Sequence, residues 1–178
     1  MNRQIFFYSL ISIVSLGVIL TCVYYWLGGF QEVKVYELQG QTKTIIGKSF
    51  TGRSNSKVVV DYLNECQQLV RDSTILGTVT RVVYKNDTLP SREAQYFIGI
   101  DIQEDEMVQA PLGFQIREFN SSKRFAIFLE MNRWVRPSPS TIDEMLSTTA
   151  LERGFELGDK ILEVYYIDDT MSVEGWVD

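Results

Sequence analysis

The sequence predicts an α+β fold: duplicated β-α-β-β halves forming an antiparallel sheet cradle with two helices on one face, plus one N-terminal transmembrane helix. Three observations carry this. An uncharged apolar run opens the chain. The remainder matches itself at a shift of 81 to 82 residues. Within each half, blocks rich in Val, Ile, Phe and Tyr flank one stretch of helical periodicity.

The apolar run comes first. No charge lies between Arg3 and Glu32, and Ile5 to Phe30 is 26 residues long. About 20 apolar residues cross a bilayer core. Tyr24, Tyr25 and Trp26 close the run as an interfacial aromatic belt, and Gly28 and Gly29 release the chain. A cleaved signal peptide needs a shorter core and a small-residue cleavage site. No A-x-A pattern is present, and Ile-Leu-Thr-Cys at Cys22 is a poor lipoprotein match with apolar residues continuing beyond it. Residues 1–30 therefore read as a retained single-pass anchor, meeting the membrane through residues 5–27. Arg3 and the amino terminus favour a cytoplasmic N-terminus, while Lys34, Lys43 and Lys48 argue the reverse. A folded domain begins at those lysines and weakens their vote. The expected location of the domain is the outer, extracytoplasmic side.

Residues 31–178 form the second domain, with halves at about 32–102 and 113–178 and an acidic linker at 103–112 containing Glu104, Asp105 and Glu106. Residues 32–52 overlay 113–133 without a gap: Val33 meets Phe114, Glu37 meets Glu118, Lys43 meets Arg124, and Ile46 meets Ile127. VVYKNDT at 82–88 overlays VYYIDDT at 164–170. Phe97 to Ile100 overlays Val173 to Trp176 once six residues around Leu89 to Glu93 are treated as an insertion.

The blocks between these matches are helical. Val59, Tyr62, Leu63, Cys66, Leu69 and Val70 make an i, i+3, i+4, i+7 stripe, with Ser54 or Ser56 as N-cap. Ile142, Met145, Leu146, Thr149 and Ala150 make the second, with Ser140 as N-cap, Asp143 as capping-box partner, and Gly154 as terminator. The matched blocks read as strands, and Lys85 to Thr88 and Ile167 to Thr170 as turns. The first strand of each half is long and bent. The helices cover one face, and the concave face is left open.

Side chains alternate along a strand. Leu162, Val164 and Tyr166 share one face; Ile161, Glu163, Tyr165 and Ile167 share the other. If helices cover the first, Glu163 faces the open cradle as a partly desolvated carboxylate. Glu174 and Trp176 share a face of the last strand; Trp134 and Tyr96 are further candidate walls. An acid among aromatics recognises flat or cationic organic molecules. The competing reading is structural: a salt-bridged strand glutamate and ordinary core aromatics.

Composition removes other functions. The chain has 17 Lys plus Arg, 23 Asp plus Glu, a net charge of -6, and no histidine. Ser-His-Asp and Cys-His nucleophiles and His-ligated metal are thereby excluded within the chain. The acidic balance speaks against nucleic acid. Cys22 and Cys66 read as free, buried thiols rather than a disulfide. With no Walker-type loop or EF-hand spacing, neither nucleotide hydrolysis nor dedicated calcium binding is expected, and no cofactor is expected.

Residues 32–178 resemble the GyrI-like, or bacterial transcription-activator effector-binding, domain of the SOUL-type fold. The motifs are a first-half strand ending in a Thr-Gly turn, Lys48 to Gly52, and a second-half L-E-x-Y strand, Leu162-Glu163-Val164-Tyr165, followed by Asp168-Asp169-Thr170 and a final strand. The resemblance implies a cleft between the halves that binds small organic ligands, often cationic or aromatic. The ligand-contacting acid falls on Glu163, with Tyr165 nearby. It also implies a rival activity, hydrolysis of electrophilic compounds by a Tyr and a Glu. The chain departs from the pattern at Arg133-Trp134, where a Gly is expected, and no helix-turn-helix precedes the domain. Without His, familiar haem ligation is unavailable. The leading expectation is a membrane-anchored, non-enzymatic domain binding a small organic ligand through Glu163, Tyr165, Trp134, Trp176, Glu174 and Tyr96. A Tyr165/Glu163 hydrolase and a tethered interaction module are the alternatives.

Overall fold

The structure is a computed structural model describing residues 3–53, 56–85, 89, 93–102, 110, 112–168 and 170–178. The acidic run at 104–106, the turn at 86–88, most of the 89–93 insertion, the Ser54 cap and Asp169 lie outside the described residues. The chain divides into two compact units. One joins 1–32 with 130–137; the other joins 33–129 with 138–178.

In the first unit, α1 (Arg3–Trp26) is apolar on every side. Its Phe7–Trp26 portion has a mean hydropathy of 2.0 and is long and apolar enough to cross a membrane. Cys22 is exposed on it rather than buried, because this helix has no core of its own to enter.

The second unit carries β1 (Val35–Gln39), β2 (Thr42–Gly52), α2 (Lys57–Arg71), β3 (Thr78–Tyr84), β4 (Ala94–Ile102), β5 (Gln115–Asn120), β6 (Lys123–Leu129), α3 (Pro139–Glu152), β7 (Lys160–Tyr165) and β8 (Met171–Val177). The strand order β1-β6-β8-β7-β3-β4-β2-β5 reads the same from either end when β1–β4 are exchanged with β5–β8. The duplication seen in the sequence is thus a two-fold arrangement of strands, with β3 and β7 as the central pair.

The long bent strands are β1–β2 and β5–β6. Each bends at two residues, Gly40-Gln41 and Ser121-Ser122. The β2–β5 ladder pairs Thr42 with Asn120, and the β1–β6 ladder resumes with Gln39 opposite Lys123 in the same register. Ser121 N–H donates to Gln41 O between them. A Cβ on Gly40 would lie 2.3 Å from Ser121 O, so only glycine lets the bends approach. This contact joins the two ends of the sheet and closes it into a barrel. The expected antiparallel cradle with its helices on one face is present, and its concave face is filled rather than left open. The interior is filled by Ile45, Val82, Phe97, Phe119, Leu162 and Trp176, all buried.

The ladders also shift one repeat match. Gly47 and Phe128 are equivalent at the 81-residue offset, and they pair with Gly99 and Ser172. The counterpart of Gly99 is Ser172 through these ladders and Glu174 through the β3–β4 and β7–β8 ladders, in neither case Gly175. Pairing geometry, not local similarity, sets this equivalence.

Both helices pack on the outer face of the closed sheet. Val59, Tyr62 and Cys66 of α2 meet Ile46, Val79, Ile98 and Ile100. Ile142, Leu146 and Ala150 form the buried stripe of α3, which packs on β6 and β8. Ser56 is the N-cap of α2 but makes no side-chain capping bond. Ser138, rather than Ser140, caps α3 by accepting from Thr141 N–H, because Pro139 starts the helix at the position where a missing N–H costs nothing. Gly154, at φ +80°, closes α3: its N–H donates to Leu151 O, and Phe155 N–H to Ala150 O.

Candidate functional site

The central β3–β7 ladder places Arg81 directly opposite Glu163, with Val79 opposite Tyr165. All four share the outer, helix-bearing face. Since α2 packs on β3 and β4 and α3 on β6 and β8, β7 lies between the two helix-covered halves.

Arg81 Nη2 donates to Glu163 Oε2. Tyr165 Oη donates to the same oxygen at 2.5 Å. The guanidinium lies between two rings, 5.7 Å from the Tyr96 centroid and 5.9 Å from that of Tyr165. Both ionic side chains are about 15% exposed. Burial works against the Arg81 charge, but Glu163, Tyr165 and Tyr96 more than offset it and hold its pKa above the ordinary value. Arg81 Nε is buried with no hydrogen-bond partner among the described residues. The arrangement is a neutral ion pair, clamped by one phenol and walled by two rings. A lone arginine N–H donor remains on it.

Tyr165 also lines a cavity of about 430 Å³. The α2 side chains Gln67, Val70 and Arg71 form one wall, and Thr78, Val79 and Ile167 another. The cavity is mostly apolar, with two phenols, an amide, the Arg71 guanidinium and the Asp168 carboxylate among its lining groups, as small-molecule sites are. At the base of α2, burial pushes the Cys66 thiol up to about 11, so it is no nucleophile near neutral pH.

The expected site residues separate into three places. Glu163, Tyr165 and Tyr96 come together on the outer face. The expectation that Glu163 faces the side opposite the helices is reversed: the helices pack on its own face, and Leu162 and Val164 point into the barrel. Glu174 and Trp176 are buried in that interior, where Trp176 Nε1 and Arg124 Nη1 both donate to Glu174 Oε2 at 3.0 Å. Trp134 belongs to the other unit and is 76% exposed there. Arg81 was missed by the sequence reading. Its signal was present, because the 82-residue match that aligns Val82 with Val164 also aligns Arg81 with Glu163. Opposite charges at equivalent repeat positions announce a pair across the two-fold centre.

No protein-family model matches the chain, and no curated protein sequence does. Solved structures are similar in fold. Against EcmrR in its DNA complex the TM-score is 0.56 at 10% identity, covering 94% of this chain and 67% of that one. Against the EcmrR C-terminal domain alone it is 0.50 at 10% identity, covering 83% and 97%. SAV2435 bound to tetraphenylphosphonium aligns with a TM-score of 0.47 at 10% identity, over 83% and 94%. The longer EcmrR alignment takes in more of this chain than the alignment to its C-terminal domain does. The barrel with its two outer helices accordingly has the same fold as the EcmrR C-terminal domain.

Proposed function

We propose that this chain is a membrane-anchored domain that binds a small organic ligand in the groove between α2 and the end of β7. The observation that carries the reading is the cavity bordered by Tyr165, whose hydroxyl donates to Glu163, the ion-pair partner of Arg81. Aromatic and apolar walls favour a flat, apolar ligand body. Because Arg81 balances Glu163, a cationic ligand gains less here than beside a lone carboxylate. An aromatic ligand bearing a hydrogen-bonding group fits better. Such a group finds the Gln67 amide, the Arg71 guanidinium and the Tyr166 hydroxyl among the residues that line the cavity.

The anchor is α1. The uncharged, all-round apolar surface of its Phe7–Trp26 portion supports insertion rather than packing. Retention of the full chain in the membrane pellet after carbonate washing tests it; release into the supernatant removes the anchor from the proposal. Protease protection in sealed vesicles tests the proposed outer placement.

Ligand binding is tested on the detergent-solubilised full chain with neutral and cationic aromatic dyes. Tyr165→Ala and a wall-filling Gln67→Trp are each expected to weaken dye binding about tenfold or more. Unchanged affinity in both variants removes the cavity from the reading. The hydrogen bond from Tyr165 to Glu163 beside the cavity favours a second reading, hydrolysis of an electrophile by these two groups. It predicts product formation that Tyr165→Phe abolishes. Saturable dye binding without turnover of electrophilic esters or epoxides decides for binding.

A further inference from the structure

The α1 unit contains a piece of chain that is distant in sequence. Residues 130–137, between β6 and α3, fold against the C-terminal end of the apolar helix. Asn132 N–H donates to Leu27 O at 3.0 Å. Met131 is buried, and a Cβ on Gly28 would lie 3.1 Å from its Cβ. Val135 N–H donates to Asn132 O, Trp134 N–H to Asn132 Oδ1, and Arg136 Nε to Met131 O. These bonds make the segment a built turn, pinned by its backbone to the residue that follows α1.

What this turn displays is unusual for a water-facing loop. Trp134 is 76% exposed, and the Arg133 guanidinium lies 5.2 Å from its ring centroid. Around the same end of the helix, Tyr25, Trp26 and Phe30 are also exposed. The apolar stretch Phe7–Trp26 has 20 residues, which at 1.5 Å per residue is about the thickness of a bilayer core. Its end therefore lies at the headgroup layer whichever way the helix points. A tryptophan bonded through its own turn to Leu27 lies at that same level. Trp and Tyr concentrate there because the ring prefers the apolar boundary and its N–H or O–H stays wet. A guanidinium there meets lipid phosphates in bidentate fashion.

We propose that residues 130–137 form a second membrane contact, with Trp134 seated in the lipid headgroup layer and Arg133 on lipid phosphates. The inference rests on α1 being inserted, and extends it from the anchor to a loop of the folded chain. It gives Trp134 a role outside the ligand site in which the sequence placed it.

The test reconstitutes the full chain in phosphatidylcholine vesicles containing lipids brominated near the headgroup end of the acyl chain. Tryptophan quenching is compared among the parent chain, Trp26→Phe and Trp134→Phe; Trp176, sealed in the barrel, is a common background. Each variant is expected to lose roughly half of the quenchable amplitude. If Trp26→Phe lowers that amplitude and Trp134→Phe does not, the second contact is overturned while the anchor stands. If neither tryptophan is quenched, insertion itself fails. In vesicles with added phosphatidylglycerol, the emission assigned to Trp134 is expected to shift to the blue, and Arg133→Glu to abolish the shift. An undiminished shift in Arg133→Glu overturns the phosphate contact.

Discussion

Two glutamates in neighbouring strands carry the same equipment. Glu163 in β7 accepts from Arg81 and from the aromatic residue two positions on, Tyr165. Glu174 in β8 accepts from Arg124 and from the aromatic residue two positions on, Trp176. The first lies on the outer face beside a cavity, with its side chain 15% exposed; the second is inside the barrel, at 5%. Identical chemistry is therefore put to different use by a change of face. Inside, a Lys43–Asp101 pair at 2.8 Å lies on the same face, so the buried charges Lys43, Asp101, Arg124 and Glu174 fall into two ion pairs. Outside, the clamp ends at a space that another molecule can fill. The pair inside is enclosed by the barrel; the pair outside meets the cavity only through Tyr165, which bonds Glu163 and lines it.

The comparison breaks most visibly at Glu174. Glu174→Ala leaves Arg124 buried without its counter-charge, and an orphaned buried ion costs about 3–5 kcal/mol. Urea denaturation of the full chain in detergent should show that loss. Replacing both partners, as Arg124→Met with Glu174→Leu, should recover most of it, because the desolvation penalty goes with the pair. A double variant as unstable as the single would mean that the network supplies stability rather than specificity.

The two faces could not be told apart from the sequence, and the reason is physical. Alternation groups Glu163 with Tyr165 and Glu174 with Trp176, but it does not say which group the helices cover. That depends on closure at Gly40-Gln41 and Ser121-Ser122, a contact between segments some 80 residues apart. The helices were legible because their stripes are local: Val59, Tyr62 and Cys66 are all buried as the spacing required. The strand duplication was legible because matched blocks keep their order. Arg81 was overlooked because a lone strand arginine reads as surface until its register is known. Trp134 reads as a wall of the ligand site because it is an aromatic in the matching region of the second half, and its tether to Leu27 is invisible in any local pattern.

A milder effect is expected on the outer face. Glu163→Gln keeps the shape and one acceptor but removes the charge that meets Arg81. Loss of a hydrogen bond to a charged group costs about 1.5–3 kcal/mol. The loss should fall below that of Glu174→Ala, since glutamine keeps an acceptor in reach of Arg81 and Tyr165 whereas alanine removes the acceptor altogether. Dye binding in the α2 groove should change along with it, which the barrel variants should not cause once folded. Equal destabilisation by the two variants would mean that the outer clamp is as much a part of the core as the inner one.

The smallest effect concerns pH and sits inside the barrel. Burial raises the Asp101 pKa above its ordinary 3.8, outweighing the lowering by Lys43; Glu174 adds to the rise and Arg124 opposes it. The folded protein therefore holds the Asp101 proton more tightly than the unfolded chain does. Where the native state binds more protons, stability falls as pH rises. The contribution of Asp101 is thus most favourable below 3.8 and is lost as pH climbs through the raised folded value. Asp101→Asn with Lys43→Met removes both the titrating group and the lysine it would strand. Denaturation across that acidic window should give the double variant a flatter stability profile than the parent, and the two curves should run parallel at neutral pH. Profiles parallel throughout would mean that Asp101 is as well solvated as a surface acid, and that the barrel interior is not sealed from the proton. Glu163 offers the control: it lies outside the barrel, so the same pair of substitutions should leave dye binding in the outer groove unchanged.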